Sequence, residues 1–407
     1  MTATAPRPGP RVVALGPRPE TGLLSTTAVG STNRARVLQA LADHGPLSRA
    51  DLARHSGVTR ASIGGVAAGL LTEGVLHELE SGTGGSRRIG KPSRPLWFAD
   101  RGPLGAVVLQ PGVVEVGVVA SDGRVSVRES VALPPVRSAA ELDAAAVDAV
   151  RTVLGPTRQP LIAVGLALPG FFGPDGEILV STTIDTLPGS RLPALLAAAT
   201  GTTVVLEDDA RALALGQRWF GQARGVRDFA ALQIGAGIGA GIMLDGRLLR
   251  GPLVASEVGH MTVDHDGELC RCGQRGCWET LASSRWLHRR SEQAGLPEPE
   301  TMTPRRLTEL ADTGDPAAAE VLDDYAGHVA LGIVNLFHVL SIPLFILHGP
   351  IVEAGPRFLD RLREHVAART MSALNALPTI TMDENATRSG VLGAAAAAIT
   401  HQLGVSL

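Results

Sequence analysis

Residues 256–283 read SEVGHMTVDHDGELCRCGQRGCWETLAS. Cys270, Cys272 and Cys277 lie within eight residues, and His260 stands ten positions before the first of them. Thiolates with one imidazole form a good tetrahedral set for Zn²⁺. Gly273 and Gly276 let a short loop fold round a metal. With all four positions filled by protein, such a zinc is structural and leaves no open coordination site for catalysis. These are the only three cysteines of the chain. An odd count confined to one loop excludes a disulfide framework and points to a reducing compartment.

Carboxylates flank the loop. Glu257 precedes His260 by three residues, and Glu279 follows Cys277 by two. Upstream, Asp208 and Asp209 fall where a strand ending at Glu207 meets the helix that starts near Ala210. In open α/β sheets, ligands bind at the carboxyl ends of strands. Acidic groups there accept hydrogen bonds from several hydroxyls, so a sugar is the natural ligand, with a solvated acidic rim as the alternative reading. Arg211 is expected to pair with Asp208. Gly235–Gly241 alternates glycine with Ala or Ile between two strands, which suits a tight turn or close approach to a phosphate. Strands at 107–109, 113–120, 162–168, 204–207, 230–234, 239–244 and 344–347 alternate with helical patterns at 139–154, 317–340, 356–369 and 389–402. That alternation predicts an α/β body from residue 104 to 407. The long apolar pattern Ala317–Leu340 suits either a subunit interface or the core.

The front of the chain is different. Residues 1–30 carry five prolines before residue 20 and read as a disordered tail. Three short helices follow, over 32–44, 49–56 and 60–72, with Ser48 and Thr59 as N-caps and Gly57 and Gly74 as stops. Two extended runs, 75–80 and 95–98, enclose the basic loop 81–94. This order predicts a winged helix-turn-helix over residues 31–98, whose third helix enters the major groove of DNA. Arg54, Arg60 and Ser62 are the candidate groove contacts. Arg87, Arg88, Lys91 and Arg94 of the wing are candidates for phosphates or a minor groove. Gly64 and Gly65 inside the third helix count against it, at about 1 kcal/mol each relative to Ala.

The 407 residues are 44% hydrophobic and 19% charged, with net charge −3, which suits a folded protein of two or three domains. The charge is uneven: residues 1–100 hold 12 Lys and Arg against 7 Asp and Glu, so a basic front precedes an acidic body. No apolar run reaches the ~20 residues of a membrane span. The first residues lack the apolar segment of a signal peptide, so the expected location is cytoplasmic.

Taken together, the zinc loop with its CxCGxxGCxE core (Cys270–Glu279), LALPGFFGPDGEIL (166–179) and EDDARALALG (207–216) resemble the ROK family of repressors, open reading frames and sugar kinases. The front domain resembles its repressor branch, which includes xylose and N-acetylglucosamine repressors. The resemblance implies a two-lobed, actin-like sugar-kinase fold, with zinc supporting a sugar-binding loop. It implies sugar contacts at Asp209, Glu257, His260 and Glu279, His260 placing one ring nitrogen on zinc and the other toward the sugar.

Kinase members open their body with an Asp-x-Gly-Gly-Thr phosphate motif. Here the stretch is Val108-Leu-Gln-Pro-Gly112, without the aspartate. The expected protein is therefore no enzyme but a sugar-responsive transcriptional regulator, more often repressor than activator. Its expected partners are operator DNA, a sugar effector and a second copy of itself, as a homodimer or higher homo-oligomer. The alternatives are an ATP-dependent sugar kinase with a DNA-binding domain, and a DNA-binding regulator whose body binds no sugar.

Overall fold

The computed structural model describes all residues except 1–8, 15–25, 81–93, 156, 158, 174, 252–255, 372–375 and 406–407. Its first element already departs from the sequence expectation. Strand β1 (Val12–Ala14) lies parallel to Val204–Leu206 on the edge of the main sheet of the body. Residues 1–30 are thus not wholly a tail: a three-residue apolar run finds an open sheet edge far along the chain. Helix α1 (Thr26–His44) also begins inside that span. The body consequently includes residues from before the front domain as well as after it.

The front domain comprises α1, α2 (Arg49–Ser56), α3 (Arg60–Thr72), β2 (Leu76–Glu78) and β3 (Leu96–Phe98). Ser48 caps α2 by accepting from the Asp51 amide, and Gly57 ends it in the left-handed region (φ 67°). Thr59 caps α3 by accepting from the Ser62 amide. Leu38, Leu41, Leu52, Ile63 and Leu70 are fully or almost fully buried between the three helices. β2 and β3 pair antiparallel, and Leu47 adds a bridge to Leu96.

The body has two lobes. The first contains β4 (Leu104–Gln110), β5 (Val113–Val119), β6 (Val125–Ala132), α4 (Ala139–Leu154), β7 (Val164–Leu168), the small pair β8 (Phe171–Phe172) and β9 (Ile178–Val180), α5 (Leu192–Thr200) and β10 (Val204–Asp208). Its six-stranded sheet has the order β1-β10-β7-β4-β5-β6. Helix α6 (Asp209–Phe220) leads to the second lobe, with β11 (Phe229–Ile234), β12 (Ile238–Leu244), β13 (Arg247–Leu248), α7 (Glu279–Ala282), α8 (Ser284–Gln293) and α9 (Pro304–Asp312). The lobe continues with α10 (Pro316–Leu340), β14 (Leu344–His348), α11 (Gly355–Arg369) and β15 (Thr379–Met382). Its sheet runs β13-β12-β11-β14-β15.

The last helix, α12 (Ser389–Leu403), returns to the first lobe and is buried from Val391 to Thr400, as befits a helix apolar on every side. Its alanines and glycines permit very close packing. A Cβ at Gly165 would overlap the Ala394 carbonyl, and one at Gly216 would sit 3.0 Å from the Gly393 backbone. The apolar stripe of α10 is consumed within its own lobe: Tyr325 stacks on Trp286 (centroids 5.8 Å apart) and touches Phe358. Core packing, not an exposed subunit interface, accounts for that stripe.

The front domain is seated on the body. Asp43 near the end of α1 is ion-paired with Arg218 in the last turn of α6, and both side chains are buried. Beside them Phe98 of β3 meets Trp219 edge-on, centroids 5.4 Å apart.

Candidate functional site

A cleft of about 390 Å³ opens between the lobes, at the carboxyl ends of β7 and β10 and over the turn joining β11 to β12. Its carboxylates come from three places. Asp208 caps α6, accepting from the Arg211 amide (3.0 Å). Asp209 begins that helix and accepts from the Ala210 amide (2.8 Å). Glu257 and Glu279 come from the two flanks of the cysteine loop, and both line the cleft with His260.

Burial dominates their chemistry. It raises Asp208, and with the neighbouring Asp208 charge it pushes Asp209 up to about 7. Glu257 is likewise pushed to about 7, by burial first and Asp208 second. A half-protonated pair of carboxyls both donates and accepts, which suits the hydroxyls of a polyol. Glu279 is fixed otherwise: its Oε2 accepts from the Ile238 amide (3.2 Å). A Cβ at Gly237 would come within 2.9 Å of that oxygen, so the glycine lets the loop approach the carboxylate.

Behind Asp208, the fully buried Glu207 is held between Arg211 Nε (2.9 Å) and Arg250 Nη2 (2.6 Å). The Arg211 side chain therefore pairs with Glu207, not with Asp208 as expected. The reason is local: Asp208 turns its carboxylate to the helix amides as the cap. Arg250 arrives from beyond β13 and carries no local signal that links it to Glu207.

The metal candidates converge. One ligand atom each from His260, Cys270, Cys272 and Cys277 lies within 4.8 Å of the others. His260 Nδ1 is 3.6 Å from Cys270 Sγ, and Cys272 Sγ is 3.6 Å from Cys277 Sγ. Tetrahedral bonds of about 2.0–2.3 Å separate ligand atoms by roughly 3.3–3.8 Å, so the donor set fits zinc. Burial pushes the Cys277 thiol up to about 12, a position that a bound divalent cation would reverse. The loop is closed by Gly276 (φ 67°), where a Cβ would overlap the Asp264 carbonyl. Trp278, fully buried, anchors the loop on α10: its Nε1 donates to the His328 carbonyl (2.8 Å), and its ring fills the space over Gly332.

The DNA candidates are spread over the front domain. Arg60 is exposed on the first turn of α3, and the Ser62 hydroxyl lies 3.0 Å from that of Thr59. Arg54 is ion-paired with Asp51, while Arg94 shares Glu78 (3.2 Å) with Arg49. Arg87, Arg88 and Lys91 fall outside the described residues. On α3, Ala61, Gly64, Gly65 and Ala68 are exposed, so that face is almost bare of long side chains.

Sequence reasoning missed Phe171, Thr182, Thr183 and Gln233 as lining residues of the cleft. The Pro169-Gly170 turn after a buried strand was the available signal for Phe171. At the β4 turn the cleft is lined by Leu109, Gln110 and Pro111, none of them a carboxylate.

The model for the ROK family matches residues 112–401. The xylose repressor of Bacillus subtilis (strain 168) is 25% identical over 361 residues, covering 86% of this chain and 90% of its own. The glucokinase of Thermotoga maritima is 31% identical over 247 residues, covering 57% of this chain and 77% of its own. Among solved structures, a ROK family transcriptional regulator described as a homolog of the E. coli MLC protein superposes with a TM-score of 0.74 at 22% identity. The match covers 93% of this chain and 98% of that one, and establishes likeness of fold.

Proposed function

The chain belongs to the ROK family, and on that premise we propose that it is a sugar-responsive transcriptional repressor. The front domain is the DNA reader, a winged helix-turn-helix with α3 as the groove helix. The repressor relatives span this domain as well as the body, whereas the glucokinase match covers little more than half of the chain. The β4 turn lacks the aspartate of the kinase phosphate motif, which supports binding without phosphoryl transfer.

One observation carries the reading. Helix α6 begins with Asp208 and Asp209 in the cleft and ends with Arg218 and Trp219 against the front domain. At 1.5 Å per residue its 12 residues span about 18 Å. A sugar held by Asp209, Glu257, His260 and Glu279 pulls on one end of a rigid rod whose other end positions the DNA reader. The sugar acts on DNA affinity only through its different affinity for two arrangements of the lobes, and DNA acts reciprocally on the sugar.

His260, Cys270, Cys272 and Cys277 would hold a structural zinc that fixes the loop carrying two of the sugar contacts. His260 Nδ1 faces the thiols, which leaves Nε2 for the cleft. Two copies would read two half-sites about one helical turn apart. As a DNA reader, the protein works in the cytoplasm.

The test is binding of the full chain to DNA from upstream of its own gene, at fixed salt, with a panel of sugars. Specific binding released by one sugar is the expected result. Turnover of ATP with any hexose, or a complete lack of specific DNA binding, overturns the proposal.

A further inference from the structure

A second cleft lies where the front domain meets the body, far from the carboxylates of the first. It encloses about 410 Å³ between α1, α2 and the hairpin of β12 and β13. Its charged lining is cationic on both sides. Arg36, His44 and His55 come from the front domain, and Arg227 and Arg247 from the body. The one carboxylate in it, Asp43, is already committed to Arg218, with Arg227 3.6 Å away. Among the described residues, neither Arg36 nor Arg247 has a carboxylate partner, whereas Arg227 has Asp245 (3.2 Å).

Two further details point to a ligand. The rings of His44 and His55 lie 4.1 Å apart, and the His44 pKa is held below its usual value by burial, then by His55, with Arg218 and Arg227 adding to the effect. The guanidiniums of Arg36 and Arg247 thus border the cleft without an anion among the described residues to balance them. In addition, Gln39 Oε1 is buried with no hydrogen-bond partner among the described residues, while its Nε2 donates to Asp43 (2.8 Å). An acceptor left unpaired at a cavity is costly unless a donor enters.

The geometry points to a site for a small phosphate-bearing anion, bridging the DNA reader and the body across this cleft. Guanidinium forks match phosphate oxygens in pairs, and imidazoles gain a proton beside an anion. No residue of α3, the proposed groove helix, lines the cleft. An anion bound on both walls would favour one seating of the reader on the body, a second input beside the sugar. Binding itself is independent of the regulator reading; only its effect on DNA rests on it.

The experiment is calorimetric titration of the full chain, without DNA, in chloride buffer, using inorganic phosphate as the probe. Three proteins are compared: wild type, the double variant Arg36→Ala/Arg247→Ala, and Arg305→Ala, an exposed arginine outside both clefts, as a control. Saturable one-to-one binding by wild type and Arg305→Ala is expected, weakened at least about tenfold in the double variant. Both arginines are exposed, and a thermal scan checks that the double variant folds. No saturation at millimolar phosphate, or equal binding by all three proteins, overturns the site. So does a double variant that loses DNA affinity in phosphate-free buffer while wild type binds no phosphate, because the cleft then belongs to the DNA footprint.

Discussion

Arg218 and Asp43 form an ion pair across the junction between the body and the front domain, with side chains only 1% and 5% exposed. Arg218 Nε and Nη1 have no hydrogen-bond partner among the described residues. The carboxylate is thus its sole compensation, and burial lowers the Arg218 pKa despite Asp43. Such a pair favours one docking geometry more than it adds net stability. Removing one partner strands the other charge. Asp43→Ala is expected to destabilise the chain by about 3–5 kcal/mol. The paired replacement Asp43→Leu/Arg218→Met is expected to recover most of that loss yet weaken the sugar response of DNA binding, since the rod then ends in a non-directional contact. Thermal unfolding and DNA binding, each with and without the responding sugar, check both parts. A double variant with full sugar response would remove this pair from the coupling.

Asp209 supplies a pH dependence of definite sign. Its carboxyl is raised from 3.8 to about 7 by burial and by Asp208. Between those values the folded state holds a proton that the unfolded state has released. Stability from this group is therefore present at low pH and lost as pH rises through about 7. The ligand-free protein is expected to melt a few degrees higher at pH 6 than at pH 8. Asp209→Asn, permanently neutral, is expected to flatten that difference and raise stability most at pH 8. A wild-type melting temperature that climbs with pH, unaltered in slope by Asp209→Asn, is the contrary outcome.

Much of the architecture is legible in the sequence because its signals are local. Helix α3 spans residues 60–72 as the Thr59 cap and the apolar spacing predict, and the four zinc candidates meet because they share one short loop. What was illegible is non-local. Val12–Ala14 has no periodicity to read in three residues, and its partner edge at Val204–Leu206 becomes visible only in the folded sheet. The Glu207–Arg250 contact joins residues on different lobes, so no spacing rule finds it. The Arg211 expectation failed on a detail of capping: Asp208 has one carboxylate, and the helix amides take it.

The cysteine loop allows metal loss to be separated from misfolding. Cys272 is the exposed member of the set, so Cys272→Ser removes a ligand with little loss of packing. Metal content by elemental analysis is expected to fall from one zinc per chain to near none. Sugar binding should fall with it, since Glu257 and Glu279 flank the loop. Gly276→Ala reaches the same end by another route: its Cβ would overlap the Asp264 carbonyl at a positive φ, so the loop cannot close. Unchanged zinc in Cys272→Ser would falsify the assignment, and normal sugar binding after zinc removal by a chelator would detach the metal from the sugar site.

The bare face of α3 makes the last prediction. Gly64 and Gly65 sit in the middle of the helix, exposed, and a Cβ at either meets nothing within 4 Å. Within the protein alone, each glycine is therefore a pure cost. Replacing both with alanine is expected to stabilise the front domain by roughly 1 kcal/mol per site. If that face lies against DNA, the glycines are kept because the backbone comes close to the bases or sugars, and the added methyls will collide. Gly64→Ala/Gly65→Ala should then melt higher yet bind operator DNA at least tenfold more weakly, about 1.4 kcal/mol. Arg60→Ala, at the start of the same helix, should weaken specific binding more than non-specific binding, measured on operator and random DNA at one salt concentration. A stabilised glycine variant with unchanged operator affinity would move the DNA contact off this face of α3.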